Sequence, residues 1–345
     1  MNAEMPIVVL VGSPYERGLA HGSRFRKEIS AILDRDLAAL SVNKVCDART
    51  RASAAYEEML SHAPDVAEEI KGIAEGCGRP LNDLVLRSGP ELFNLYGDTG
   101  CSALAFKTDT GAVAAQNWDG MPAKDVDLAL FLHFSHKGFK FAVVTSFGGL
   151  CNVGMNSHGL ALVNNDILLN ESQDGITSQA VRRLVMDMPD VKSARSMLAS
   201  LTHIGGKSHL FADRNGDVAN VEISAVSGAN FLPPADVYVH TNNALLPVTT
   251  GEENTRALSK HYPSSSARLR SLQAAIAREA LSVDGAMRVL RDESGAPNSV
   301  CKTASADEPT QTAFSVVMDC ARGEIHLAAG RPSLNAYRRI AVPTS

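Results

Sequence analysis

The chain has 345 residues, above the usual size of one domain yet within reach of a single large α+β domain. Hydrophobic residues make up 45% and charged residues 21%, which is enough to build an ordinary core and excludes disorder as the default. The net charge of −5, with no basic block longer than the RFRK of residues 24–27, leaves no footprint for nucleic acid or an anionic membrane.

The first element in the chain is PIVVLVG, which predicts a short strand. Its apolar run of about six residues is too short for a signal segment or a membrane span, and no basic region precedes it, so a cytoplasmic protein is expected. Helices follow. SPYERGLAHGSRFRKEISAILDRDLAAL carries apolar residues at helical spacing. PDVAEEIKGIAEGCG starts with Pro64 and ends at glycine, a helix start and stop pair. PLNDLVLRSGPELFNL continues the helical pattern.

After Cys101 the character changes to hairpins. CSALAFK and AVAAQNW flank the turn tetrad Thr108-Asp109-Thr110-Gly111. FKFAVVTSF reads as a strand, and CNVGMNSHGLALVNN as two strands around Asn156 and Gly159. Asn215-Gly216 inside KSHLFADRNGDVANVEIS is the strongest hairpin signal in the chain. DVYVHT predicts another strand, and TAFSVVMDCARGEIHLAAG a further hairpin. Helical segments interrupt the strands at residues 176–201 and 264–293. Antiparallel hairpins with helices in blocks argue for α+β layers rather than a parallel βαβ sheet. No repeat, low-complexity tract or linker divides the chain, so one domain over 1–345 is expected.

The six cysteines contain no CxxC pair, and a chain of this length needs no disulfide staples, which fits a reducing compartment. Several chemistries fail on spacing. Gly206-Lys207-Ser208 has the tail of a P-loop, but Leu201 stands where the first glycine is required. GxSxG and GxGxxG are absent. His133 and His136 fall on opposite faces of a strand, so no metal site is expected there, and no cofactor is called for. No histidine follows a cysteine in a thiol-protease context.

One hairpin brings chemistry together. A turn over residues 108–111 pairs Lys107 with Ala112 and therefore Cys101 with Trp118, with Asp119 at the same open end. Facing residues in such a pair lie about 4.5–5.5 Å apart. Gln116 and Asn117 join the thiol and the carboxylate there. A thiol without a histidine can take the α-amine of its own residue as base, once the preceding peptide bond is cut. That amine has a pKa of about 7.7–8.0, suited to accept a thiol proton. Gly100 lacks a Cβ, so the Gly100-Cys101 peptide can adopt conformations closed to other residues, and strain there would favour attack of the thiol on the Gly100 carbonyl. The alternative is that Cys101 is a small buried hydrophobe and Asp119 a capping or turn residue.

At these residues the sequence resembles the acyl-coenzyme A:6-aminopenicillanic acid acyltransferase family, peptidase family C45, within the N-terminal nucleophile hydrolase superfamily. GCS followed by AQNWD is similar to the family's processing site and nearby acid, and TSFGGLCNVGMNSHGLALVNN to its glycine-rich hairpin. HTNN at residues 240–243 is similar to its HTN motif. SVCK, TAFSVVMD and AAGRPSLNAY resemble its C-terminal signature, and YERGLAHG and EIKGIAEGCG also fit. The resemblance implies a four-layer αββα fold and self-cleavage into residues 1–100 and 101–345, two fragments that stay together. Cys101 is then nucleophile and base, Asp119 holds its ammonium group, and Asn242 donates to the oxyanion. Asn165, Gln116 and Asn117 are further candidates for oxyanion or substrate contacts. Gln116 stands where bile salt hydrolases and penicillin V acylases carry arginine, which speaks against their acidic substrates. Gly120 and Asn243 also replace larger residues of the pattern.

The expected activity is hydrolysis of a small N-acyl compound through a thioester on Cys101. The same acyl-enzyme could serve an acyl-CoA-dependent N-acyltransferase. An unprocessed binding protein on the same fold, or an uncleaved thiol enzyme, are the other readings. Assembly of identical copies is left open.

Overall fold

In the computed structural model, which describes residues 5–93, 100–122 and 127–342, local signals set most element boundaries. Strand β1 (Ile7–Gly12) runs into a capping box at Ser13: the Ser13 hydroxyl accepts the Glu16 N–H and the Glu16 carboxylate accepts the Ser13 N–H. This starts α1 (Pro14–Arg24), followed by α2 (Arg26–Ala38) and α3 (Val42–His62). α4 (Pro64–Cys77) opens on its proline and stops at Gly78, whose φ of +72° is left-handed. α5 (Leu81–Ser88) follows, and a 3₁₀ turn over Pro90–Phe93 ends this helical block. The last two residues of the predicted helical stretch, Asn94 and Leu95, lie outside the described residues.

The central part is strands: β2 (Gly100–Thr108), β3 (Gly111–Gly120), β4 (Leu128–Ser135), β5 (Lys140–Ser146), β6 (Val153–Asn156) and β7 (Ala161–Asp166). The expected helical segment at 176–201 is two helices, α6 (Ser178–Val185) and α7 (Val191–Ser200). β8 (Lys207–Ala212) and β9 (Val218–Ser224) flank the Asn215-Gly216 turn, where Gly216 has φ +88°. Then come β10 (Gly228–Phe231), β11 (Val237–His240), α8 (Pro247–Glu252) and α9 (Thr255–His261). The segment at 264–293 holds α10 (Ser265–Ile276) and α11 (Val283–Leu290), and the chain closes with β12 (Gln311–Asp319), β13 (Glu324–Ala329) and β14 (Arg338–Ala341).

Two sheets result. The larger has eight strands in the order β1-β4-β5-β6-β7-β8-β9-β10, and the smaller six in the order β11-β2-β3-β12-β13-β14. All pairings are antiparallel except β1 with β4, which run parallel with Ile7 opposite Leu130. The connection between those two strands is not a short βαβ crossover: it carries five helices and the β2–β3 hairpin of the other sheet.

Three apolar layers separate four structural layers. Helices α1 to α7 pack on the outer face of the large sheet through residues such as Ile29, Ile70, Phe131 and Phe211. The sheets meet through small and medium side chains, among them Ala103, Ala105, Ala114, Ala161 and Met155. α10 and α11 cover the small sheet through Leu272, Val289 and Leu290 against Leu104 and Val113. This is the four-layer αββα arrangement expected from the sequence. His133 is buried on β4, whereas His136 lies beyond the strand end and is exposed.

Candidate active site

The β2–β3 hairpin has the register expected from its turn: Lys107 faces Ala112, Cys101 faces Trp118, and Gly100 faces Asp119. Side chains alternate along both strands. Ala103, Ala114 and Trp118 belong to the layer between the sheets, while Leu104, Val113 and Ala115 belong to the layer under α10 and α11. Cys101 and Gln116 therefore point between the sheets, and Asn117 and Asp119 point toward the helices. The Asp119 carboxylate reaches the Gly100-Cys101 peptide from the face opposite the thiol.

Asn242, two residues past the end of β11, meets the main chain of Cys101. The Cys101 N–H donates to Asn242 Oδ1 at 3.1 Å, and Arg268 Nη2 donates to the same oxygen at 2.7 Å. Two donors on one atom fix which end of the amide is oxygen. Asn242 Nδ2 donates to the Asp166 carbonyl at 3.0 Å, tying the small sheet to the end of β7 in the large one. Arg268 projects from α10 and is fully buried. Its Nη1 donates to the Cys101 carbonyl and to Ser102 Oγ, and its Nε to Ser264 Oγ. Asp119 Oδ1 accepts from Thr312 Oγ1 at 2.9 Å, and Oδ2, buried and 4.0 Å from Arg268 Nη1, has no hydrogen-bond partner among the described residues.

The glycine before the thiol sits close against two side-chain ends. Gly100 lies in β2 outside the left-handed region, so no strain of that kind marks the peptide. A Cβ there would sit 3.1 Å from Asp119 Oδ2 and 3.4 Å from Arg268 Nη2.

Burial sets the electrostatics. It pushes the Cys101 thiol far above its ordinary range, helped by the negative charges of Asp119 and Asp166 and opposed by Arg268 and Gln116. Burial also raises the Asp119 carboxyl, against the pull of Arg268, Lys302 and the Thr312 hydroxyl. A resting thiolate is thus disfavoured, and a base is required. His240 shares the inter-sheet face with Cys101, but its Nε2 contacts Glu222 at 2.8 Å and its Nδ1 the Thr241 carbonyl at 2.6 Å, so neither nitrogen is open to the thiol.

The other expected residues take different places. Gln116 bonds both the N–H and the carbonyl of Asn164 across the sheets. Asn165 Nδ2 reaches the His240 carbonyl at 3.4 Å, and its Oδ1 is buried without a partner among the described residues. Gln116, Asn165 and Asn242 thus stitch the two sheets at the Cys101 end. Asn117 is not brought to the thiol: it donates to the Leu290 and Val300 carbonyls on the helical face. Arg268 was absent from the sequence-based set. Its signal is positional, because it occupies a stripe otherwise held by Ser265, Leu272 and Ala275, the buried side of α10.

A cleft of about 340 Å³ opens beside this hairpin. Trp118, stacked on Phe314 at 5.5 Å, lines it together with Asn164, Asp166, Leu168, Gln179 and Arg182. Among the described residues no three His, Cys, Asp or Glu side chains are grouped so as to hold a metal ion. No helix among them is long and apolar enough to cross a membrane.

Comparison with known proteins adds to this geometry. Residues 106–334 match the family model described as acyl-coenzyme A:6-aminopenicillanic acid acyl-transferase. The 40 kDa form of acyl-coenzyme A:6-aminopenicillanic-acid-acyltransferase from Emericella nidulans is 24% identical over 342 residues, covering 94% of this chain and 93% of the relative. Among solved structures, a variant of conjugated bile acid hydrolase from Clostridium perfringens aligns over 71% of this chain and 98% of its own, with 12% identity and a TM-score of 0.44. Penicillin V acylase from Agrobacterium tumefaciens aligns over 66% of this chain and 82% of its own, with 14% identity and a TM-score of 0.45.

Proposed function

The chain belongs to the acyl-coenzyme A:6-aminopenicillanic acid acyltransferase family, and from that premise we propose that it is a self-processing cysteine amidohydrolase acting on a small N-acyl compound. Amide cleavage or acyl transfer is the activity common to its relatives. The observation that carries the finer reading is the buried Asp119 Oδ2, which lies beside the Gly100-Cys101 peptide and has no hydrogen-bond partner among the described residues. Cleavage of that peptide would place an α-ammonium group there.

Processing begins when Cys101 Sγ adds to the Gly100 carbonyl carbon. The Gly100-Cys101 C–N bond breaks, the nitrogen keeps the thiol proton, and Gly100 is left as a thioester. Water hydrolyses that ester and leaves fragments 1–100 and 101–345. In turnover the free amine takes the thiol proton and the thiolate attacks the substrate amide. The oxyanion meets an amide donor, for which Asn242 Nδ2, now donating to the Asp166 carbonyl, is the candidate. The Cys101 ammonium then protonates the leaving amine, and water, deprotonated by the same amine, releases the acid. Asp119 and Arg268 hold the charge balance around that amine. The name of the Emericella relative favours a second outcome for the thioester, capture by an amine, with acyl-CoA as acyl donor.

Acid quenching during turnover of a panel of N-acyl p-nitroanilides tests the chemistry. The large fragment should gain the mass of the acyl group, on the peptide that begins with Cys101. Turnover with no adduct at Cys101 would contradict a thioester on that residue.

A further inference from the structure

Trp118 is the only tryptophan in the chain, and on β3 it is the residue that faces Cys101 directly. On its other side it faces Phe314 of β12, and the two rings stack at 5.5 Å with 12° between their planes. Phe314 is fully buried. Trp118 is half-buried and lines the cleft with Leu128, Leu168 and Ile204. One indole thus belongs both to the row that holds the nucleophile and to the wall of the cleft.

The position of that ring depends on the next residue along its face of the strand. A Cβ at Gly120 would sit 2.5 Å from Trp118 Cζ3 and 2.8 Å from Cη2, and the three nearest atoms it would meet all belong to the indole. Gly120 lies in β3 outside the left-handed region, so an alanine could adopt its backbone. The first obstacle to a side chain there is the ring. A ring at the end of a side chain can shift where backbone cannot. Phe314 is packed against one face of the indole, so the space left for a displaced ring is the cleft.

We propose that Gly120 and Trp118 form a specificity-determining pair, in which the glycine lets the indole lie along the strand and the position of the indole sets how large an apolar group the cleft admits; this rests on the cleft being the substrate site. A side chain at 120 would raise the ring into the cleft and shorten it. The larger residue of the family pattern at 120 is replaced here by the tryptophan two positions earlier, whose ring lies over residue 120.

Two readouts test the pair without turnover. Emission from the single tryptophan reports the ring, and Gly120→Ala should change both its emission maximum and its quenching by acrylamide. Calorimetric titration of butanamide and octanamide reports the cleft. Wild type should prefer octanamide by about ten- to a hundredfold, from the extra methylenes it buries. Gly120→Ala should cut that preference about tenfold. With Trp118→Ala already in place, Gly120→Ala should alter it by less than about twofold, because the two sites couple through the ring. Should Gly120→Ala alone fail to fold, the double variant should fold again, and its failure would overturn the pair. Equal effects of Gly120→Ala in both backgrounds, an unaltered tryptophan emission, or a wild type with no preference for octanamide also overturns the inference. If Cys101 forms an acyl adduct while octanamide binding ignores residues 118 and 120, only the pair is wrong. If binding follows the pair but no adduct forms, only the proposed chemistry is wrong.

Discussion

At the scale of single residues, the centre is Asn242 Oδ1, where the Cys101 N–H and the Arg268 guanidinium converge. Removing one preorganised oxyanion donor costs about 10²–10³ in kcat. Asn242→Ala should show that loss on fully processed protein, with KM within a few-fold. Asn243→Ala should be milder, because Asn243 Oδ1 only accepts from the Thr241 and Ser265 hydroxyls. The reverse ranking would mean that the oxyanion role belongs to the neighbouring residue. Arg268 gives a pH prediction. Burial already raises the Asp119 carboxyl and Arg268 opposes it. Arg268→Met should raise that carboxyl further, so the acid limb of the kcat profile moves to higher pH, and Arg268→Lys should restore part of the shift. An unmoved acid limb would remove Arg268 from this role. Cys101, Asp119 and their register were legible because a short hairpin is a local structure. Arg268 was not, because an arginine on a helix ordinarily faces water, and only its place on the buried stripe of α10 marks it.

At the scale of elements, α1 and α4 meet through four glycines. A Cβ at Gly18 would lie 2.0 Å from the Glu69 carbonyl oxygen, and one at Gly22 2.2 Å from that of Ile73. At Gly72 and Gly76 the corresponding distances are 2.2 Å to the Tyr15 oxygen and 2.4 Å to that of Leu19. Backbone cannot yield as a side-chain tip can, so Gly22→Ala or Gly72→Ala should destabilise by about 3 kcal/mol or more. Gly78→Ala meets no atom within 4 Å and should cost only the left-handed backbone, about 1–2 kcal/mol. Urea midpoints compare them, and equal losses would refute the seam. His21 on α1 adds a pH dependence. Its Nε2 accepts the Gly148 N–H, and burial lowers its pKa from 6.5 to about 4. Between those values the unfolded chain takes up a proton that the folded one refuses. Stability should therefore drop as the pH is lowered through that window, by about 1.4 kcal/mol per pH unit for this group, and His21→Gln should flatten the slope by that amount. Helices with caps and hairpins with glycine turns were readable from local pattern. β10, β14, α8 and α9 were not, since they are short and owe their state to neighbours. The parallel pairing of β1 with β4 depends on contacts more than a hundred residues apart.

At the scale of the whole molecule, residues 5–93 supply an edge strand of the large sheet and five of the helices that cover it. Fragments produced by cleavage before Cys101 would share that core. They should co-elute in native size exclusion and separate only in denaturant; dissociation under native conditions would contradict the layered account. The family pattern made the four layers legible in the sequence, but the polar stitching of the two sheets by Gln116, Asn165 and Asn242 emerges only when both sheets are in place. The most direct measurement of the central claim is a denaturing intact-mass spectrum of purified wild type beside Cys101→Ala. The wild type should give two masses, for residues 1–100 and for the 245 residues of 101–345 (345 − 100 = 245), and the variant one mass near 36.7 kDa. A wild type that hydrolyses amides as a single 36.7 kDa chain, or a Cys101→Ala protein that is still cut before residue 101, would contradict it.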